Sequence, residues 1–113
     1  MSSFSDKGLL GELEQLVMLA ALRLHDAYAV SIRDEIQERT RIALSRSSVY
    51  VTLDRLDRKG YVRSWLGDPT PERGGKAKRC FEVTSSGRRA LAEAERAIAR
   101  LRSAETAGST GTK

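Results

Sequence analysis

The chain has 113 residues, 40% of them hydrophobic, which suits one compact domain with a modest core. Its single cysteine, Cys80, excludes an intrachain disulfide, and with only one histidine, His25, it offers no ligand set for a structural zinc. The net charge of +5 and a sequence pI near 9.8 favour an anionic partner, nucleic acid above all.

The distribution of charge is more telling than its total. Residues 1–40 hold four Lys/Arg against seven Asp/Glu, a balance of −3. Residues 41–89 hold twelve against five, a balance of +7. Residues 90–113 hold four against three, a balance of +1. A charge serving only solubility has no reason to gather in the middle. The longest apolar run, Leu16 to Leu22, is too short to span a bilayer, and no cleavable leader opens the chain. The expectation is a soluble, cytoplasmic protein.

Residues 1–7 are polar and read as a flexible N-terminus. Gly8 to Leu24 reads as a first helix, with Leu9, Leu10, Leu13, Leu16, Val17, Ala20 and Leu24 on a face wider than one packing surface needs. Asp26, in the next connection, is placed to cap a second helix. That helix reads as Ala29 to Arg39, buried through Ile32 and Ile36. Thr40 to Leu44 is a linker with room for a short strand.

Ser45 to Gly60 reads as a third helix of about four turns. Ser45 is placed as its N-cap, and Gly60 as a left-handed residue after its end. Val49, Leu53 and Leu56 recur at i, i+4, i+7 as one buried stripe. The opposite face carries Ser47, Val51, Asp54 and Arg58, flanked by Tyr50 and Arg55. Small residues near the N-terminus and cations further along suit a helix that reads a DNA major groove. Two helices, a short connection and then such a helix is the helix-turn-helix order.

After Gly60 the period becomes two. Tyr61, Arg63 and Trp65 alternate with Val62, Ser64 and Leu66, which is a strand. GDPTPERGGK, residues 67–76, is a loop. Ala77 to Val83 alternates again, with Lys78, Cys80 and Glu82 expected on the outer side. The pair makes a hairpin, and a hairpin behind a helix-turn-helix is a wing, with Arg73, Lys76, Lys78 and Arg79 near its tip. Thr84 is placed to cap a last helix over about Ser85 to Arg102. Leu91, Ala94, Ile98 and Leu101 are spaced 3, 4, 3 along it, a seam for which a second copy of the chain is the natural partner and the chain's own core the alternative. Residues 103–113 read as a disordered tail.

The fold class is therefore mainly α with a small β-hairpin: a winged helix over residues 8–83 and a dimerisation helix over 84–102. LGELEQLVMLAAL in the first helix, YAVSIRDEIQERT in the second, LSRSSVYVTLDRLDRKGYVRS through the third and GGKAKRCFEVTSSGRRAL beyond it carry a further likeness. Through these segments the chain resembles the PadR family of bacterial transcriptional regulators. The resemblance implies a homodimer that binds a partly palindromic operator in double-stranded DNA, usually to repress. It implies Arg46, Ser47, Tyr50 and Val51 as groove-facing residues beside the Ser45 cap. Arg55, Arg58, Lys59, Arg73, Lys76, Lys78 and Arg79 would then meet phosphates. Leu91, Ala94, Ile98 and Leu101 would join the two copies.

The family often has Gly where Ala29 stands and Tyr-Tyr where Cys80-Phe81 stand. Some relatives bind drugs or phenolic acids through aromatic residues on the last helix. This last helix has none, so no effector is assigned, and no cofactor or metal is expected. No nucleophile–base pairing or Gly-rich phosphate loop points to an enzyme. The rival reading is a winged-helix protein–protein module, which would lack the basic third helix.

Overall fold

The computed structural model describes residues 9–67 and 77–111, with side chains described as far as residue 104. The flexible stretch expected over 1–7 and the wing cations Arg73 and Lys76 lie outside these residues. The elements run α1 (Glu12–Leu22), β1 (Ala27–Tyr28), α2 (Ala29–Thr40), α3 (Arg46–Arg58), β2 (Val62–Leu66), β3 (Arg79–Val83) and α4 (Ser85–Gly111). The fold is mainly helical, with a small antiparallel sheet ordered β1-β3-β2.

Helices α1, α2 and α3 pack on one another and on the sheet, and each supplies one stripe to the core. Val17 and Met18 come from α1, Ile32 and Ile36 from α2, and Val49, Leu53 and Leu56 from α3. Phe81, Val62 and Val83 close the core from the sheet, and Leu91 and Ala94 close it from α4. The expected stripe of α3 is wholly buried, joined by Thr52, whose hydroxyl donates to the Ser48 carbonyl.

Helix ends explain where the elements stop. Helix α1 starts later than expected, at Glu12, because the Glu14 carboxylate accepts from the Gly11 N–H at 2.9 Å. Asp26 does not cap α2. It takes a positive φ of 54° in the connection, and the Ser31 hydroxyl accepts instead from the Tyr28 N–H at 3.0 Å. Residues 41–45 form no strand; Arg41 turns left-handed at φ 66° and ends α2. Ser45 caps α3 as expected, its hydroxyl accepting from the Ser48 N–H at 3.1 Å.

The far end of α3 closes with paired bonds, Tyr61 N–H to Leu56 C=O at 2.9 Å and Gly60 N–H to Asp57 C=O at 3.0 Å. This double closure needs a left-handed residue at its centre, and Gly60 supplies it at φ 80°. The chain then enters β2 directly.

Strand β1 extends the expected hairpin to three strands. Ala27 and Tyr28 pair with Phe81 and Cys80, which makes β3 the central strand. This corrects the expected exposure of Cys80. Its register puts it directly opposite Tyr28 on one side and Trp65 on the other. Directly opposed residues share a face, so two aromatic neighbours shield the small thiol and it is buried.

The last helix is also longer than expected. It runs to Gly111, so residues 103–111 are helical rather than disordered. The 3, 4, 3 seam is divided along it. Leu91 and Ala94 are buried in this chain's own core, so they are not a free dimer seam, whereas Ile98 and Leu101 are 44% and 74% exposed. Thr84 starts α4 as expected, its hydroxyl accepting from the Gly87 N–H at 3.0 Å and donating to the Gly60 carbonyl at 2.7 Å.

Gly87 sits where α4 crosses the start of β2. A Cβ there would lie 2.1 Å from the Tyr61 carbonyl oxygen, far inside contact distance. Gly87→Ala is expected to cost about 3 kcal/mol, at the upper end of overpacking losses. Gly60→Ala, which meets no atom but must hold a positive φ, should cost about 1 kcal/mol. Urea unfolding of both variants checks the order; equal midpoints would contradict the crossing geometry.

Candidate nucleic-acid interface

One face of the N-terminal half of α3 is open, while Val49 and Thr52 on the other are buried. Ser45, Arg46 and Ser47 are exposed, and Tyr50 and Val51 are 41% and 52% exposed. The four residues expected to face a groove, and the Ser45 cap beside them, are therefore all exposed. Among them Val51 is apolar without being packed, which suits contact with a thymine methyl.

The expected phosphate cations divide into two groups. Arg55 and Arg58 are exposed along α3. Arg58 also donates to Asp54 at 2.6 Å, the i, i+4 pairing that accounts for an acidic residue on this face. The Arg58 hydrogen bond, against an opposing effect of burial, holds the Asp54 carboxyl below its ordinary value, and the charges of Arg58 and Arg79 add to it. Lys78 reaches back over the Tyr28 ring, 4.4 Å from its centroid.

Lys59 and Arg79 turn inward. The Lys59 ammonium donates to Glu14 at 2.8 Å and pins the end of α3 to the start of α1. Glu14 is nearly buried. Burial alone would raise its carboxyl, but the Lys59 hydrogen bond, the Gly11 N–H and the charges of Lys59 and Arg55 outweigh it, so the group sits below its ordinary 4.5. Arg79 donates to Asp57 at 2.9 Å, to Ser64 at 3.2 Å and to the Tyr50 hydroxyl.

The open surface continues into a cleft of about 430 Å³ between α3, the start of α2 and the base of the wing. Arg46, Ser47 and Tyr50 form one wall, Tyr28 and Val30 another, and Lys78 the rim. Tyr28 and the start of α2 were not singled out in the sequence. The signal was weak: β1 has two residues, and only its pairing with β3 brings Tyr28 beside Lys78. Among the described residues no cluster of three or more metal-ligating side chains occurs, and no helix is long and apolar enough to cross a membrane.

Comparison with known proteins places this geometry. The family model of the transcriptional regulator PadR-like family matches residues 18–93, more than half of the chain. The chain belongs to the PadR-like family of transcriptional regulators, a family of DNA-binding regulators and not of enzymes. Among solved structures it resembles a transcriptional regulator from Clostridium thermocellum, with a TM-score of 0.70 at 17% identity, covering 94% of this chain and 95% of that one. A PadR family transcriptional regulator from Eggerthella lenta aligns with a TM-score of 0.66 at 24% identity, over 84% and 83% of the two chains. A PadR family transcription regulator from Clostridium difficile aligns at 0.63 and 17% identity, over 91% and 100%. At these identities the structures speak for the fold. No curated protein matches the chain.

The Glu14–Lys59 pair has a pH signature. A carboxylate whose folded value is depressed adds stability above its unfolded value and loses it as pH falls through the folded one. Stability should therefore hold above about pH 5 and decline below the ordinary 4.5. Glu14→Gln should lose about 2 kcal/mol at neutral pH, the scale of a hydrogen bond to a charged group, and show a shallower acid limb. Denaturant melts from pH 3 to pH 7 check it; parallel curves for variant and parent would rule the pair out as an anchor.

Proposed function

We propose that this protein is a sequence-specific repressor that binds a partly palindromic operator as a homodimer in the bacterial cytoplasm. The observation that carries the reading is the open N-terminal face of α3. Arg46, Ser47, Tyr50 and Val51 project there together, beside the cleft at the wing base. Arg46, Tyr50 and Val51 supply a donor, a hydroxyl and an apolar edge, the three kinds of contact that distinguish base pairs in a major groove. Arg55, Arg58 and Lys78 flank that face as phosphate partners, and Arg73 and Lys76 are assigned the same role from their place in the sequence. A single cysteine and the regulator family both fit a reducing cytoplasm.

The homodimer reading is supported by α4 beyond its buried turns. The helix has 27 residues, roughly 40 Å at the α-helical rise. Leu91 and Ala94 hold its start to this chain, while Ile98 and Leu101, further along, are exposed apolar side chains. A second copy related by a two-fold axis would cover that surface and set two reading helices side by side, as a palindrome requires.

Selection of bound duplexes from a random DNA pool tests the reading. The expected product is an inverted repeat. Its affinity should fall roughly a hundredfold between about 50 and about 200 mM salt if about four phosphates are neutralised. Ser47→Glu and Arg46→Ala should each weaken binding about tenfold and shift stability by less than about 0.5 kcal/mol. Failure to enrich any sequence, with salt-independent behaviour, would favour a protein–protein module. For the assembly, Ile98→Asp should sediment as a monomer; a persistent dimer would move the interface off α4.

A further inference from the structure

Arg79 stands at the start of β3, beside the wing, where an outward cation would meet phosphate. Its side chain takes the inner face of the sheet instead, alternating with Cys80 and sharing the side of Phe81 and Ser64. Its guanidinium carbon lies 4.9 Å from the centre of the Phe81 ring and 5.3 Å from that of Tyr50. Its nitrogens donate to Asp57 on α3, to Ser64 on β2 and to the Tyr50 hydroxyl on α3. The Asp54 carboxylate lies 3.9 Å away. The positive charge is thus already met by carboxylates of the reading helix, and the planar group is held from both α3 and the hairpin.

We propose that Arg79 is a positioning residue for DNA recognition and not a phosphate contact. The inference rests on the DNA-binding reading above and deepens it. A guanidinium has donors only. The Tyr50 hydroxyl must therefore accept from Arg79, which leaves its own O–H to donate elsewhere. Tyr50 is on the open face of α3, and Phe81 meets its ring edge-on at 6.4 Å. With ring and oxygen both held, the O–H is presented outward as a fixed donor. Its partner on the DNA is an acceptor: a phosphate oxygen, or the N7 or O6 of guanine, N7 of adenine or O4 of thymine in the major groove. The same guanidinium bolts α3 to β2 and β3, so reading helix and wing dock as one body.

The test uses the full chain, the duplex recovered by selection and that duplex changed one base pair at a time. Affinity is measured against salt for the parent, Arg79→Lys, Arg79→Ala, Tyr50→Phe and the Arg79→Lys/Tyr50→Phe double variant. Lysine keeps the charge but cannot hold three acceptors and two rings in one plane. Arg79→Lys is expected to bind about tenfold more weakly with an unchanged slope of log K against log salt. Tyr50→Phe should weaken binding to a similar degree, and the double variant no further than either single one. Loss of discrimination at one base pair on Tyr50→Phe assigns the acceptor to a base, whereas an even loss across all duplexes assigns it to the backbone. Parent-like binding by Arg79→Lys overturns the proposal. So does an Arg79→Ala slope reduced by about 0.9, the value of one lost phosphate contact, or additive losses in the double variant. If Arg79→Lys no longer melts cooperatively, Tyr50→Phe decides alone, and parent-like binding by it is the negative result. A parent chain that binds no duplex would defeat the underlying reading before any variant is compared.

Discussion

The close crossing of Gly87 over Tyr61 is the constraint on which the arrangement of working parts depends. Three elements meet there within a few residues. Helix α3 ends in the double closure around Gly60, strand β2 begins, and α4 passes over both. The Thr84 hydroxyl serves two of them at once, accepting from Gly87 and donating to Gly60, while the Thr84 N–H donates to the Tyr61 carbonyl. A helix can approach backbone this closely only where a side chain is missing. The angle between α3 and α4 is thereby set by main-chain contacts. Changes on either surface leave it alone.

Charge at the surface is governed by a different logic. The basic excess of the central segment suggests many phosphate contacts, but a cation turned inward onto a carboxylate of the same domain is not free to make one. Lys59 is committed to nearly buried Glu14, and Arg79 to Asp57. Removing Lys59 would leave the nearly buried Glu14 carboxylate short of water, which costs more than a surface pair returns. These two cations contribute to rigidity, whereas Arg55 and Arg58 are exposed along α3. The net charge of a segment measures attraction at a distance. Its contact list is shorter.

Much of this was legible in the sequence, because it rests on local periodicity and on cap chemistry. The α3 stripe, the Ser45 and Thr84 caps, Gly60 and the change of period after it are all set by neighbours within a few residues. What escaped depends on pairing over distance. Strand β1 is two residues long and has no period to detect; only its register with β3 reveals it, and with it the shielding of Cys80 and the place of Tyr28. The burial of Glu14 needs Lys59, 45 positions away. Arg79 reads as a wing cation until the inner face of β3 is seen to lie against α3. The helical course of residues 103–111 escaped for the opposite reason. Its Gly, Ser and Thr content speaks against helix one residue at a time, and the preceding turns carry it through.

The division of α4 links these two levels. An a/d-like spacing continues without interruption from Leu91 to Leu101, yet its first half is core and its second half is surface. Periodicity reports which face of a helix is apolar and is silent about what covers it. Here the covering changes along the helix. A helix that begins inside one domain and ends outside it is a rigid lever, since its buried turns cannot move without disturbing Leu91, Ala94 and the Gly87 crossing. On the homodimer reading, the outer turns would pair with those of a second copy. The distance between the two reading helices would then be fixed by α4 and by the crossing at Gly87. Half-site spacing would thus be a property of the C-terminal helix, while the identity of the bases would be a property of the open face of α3.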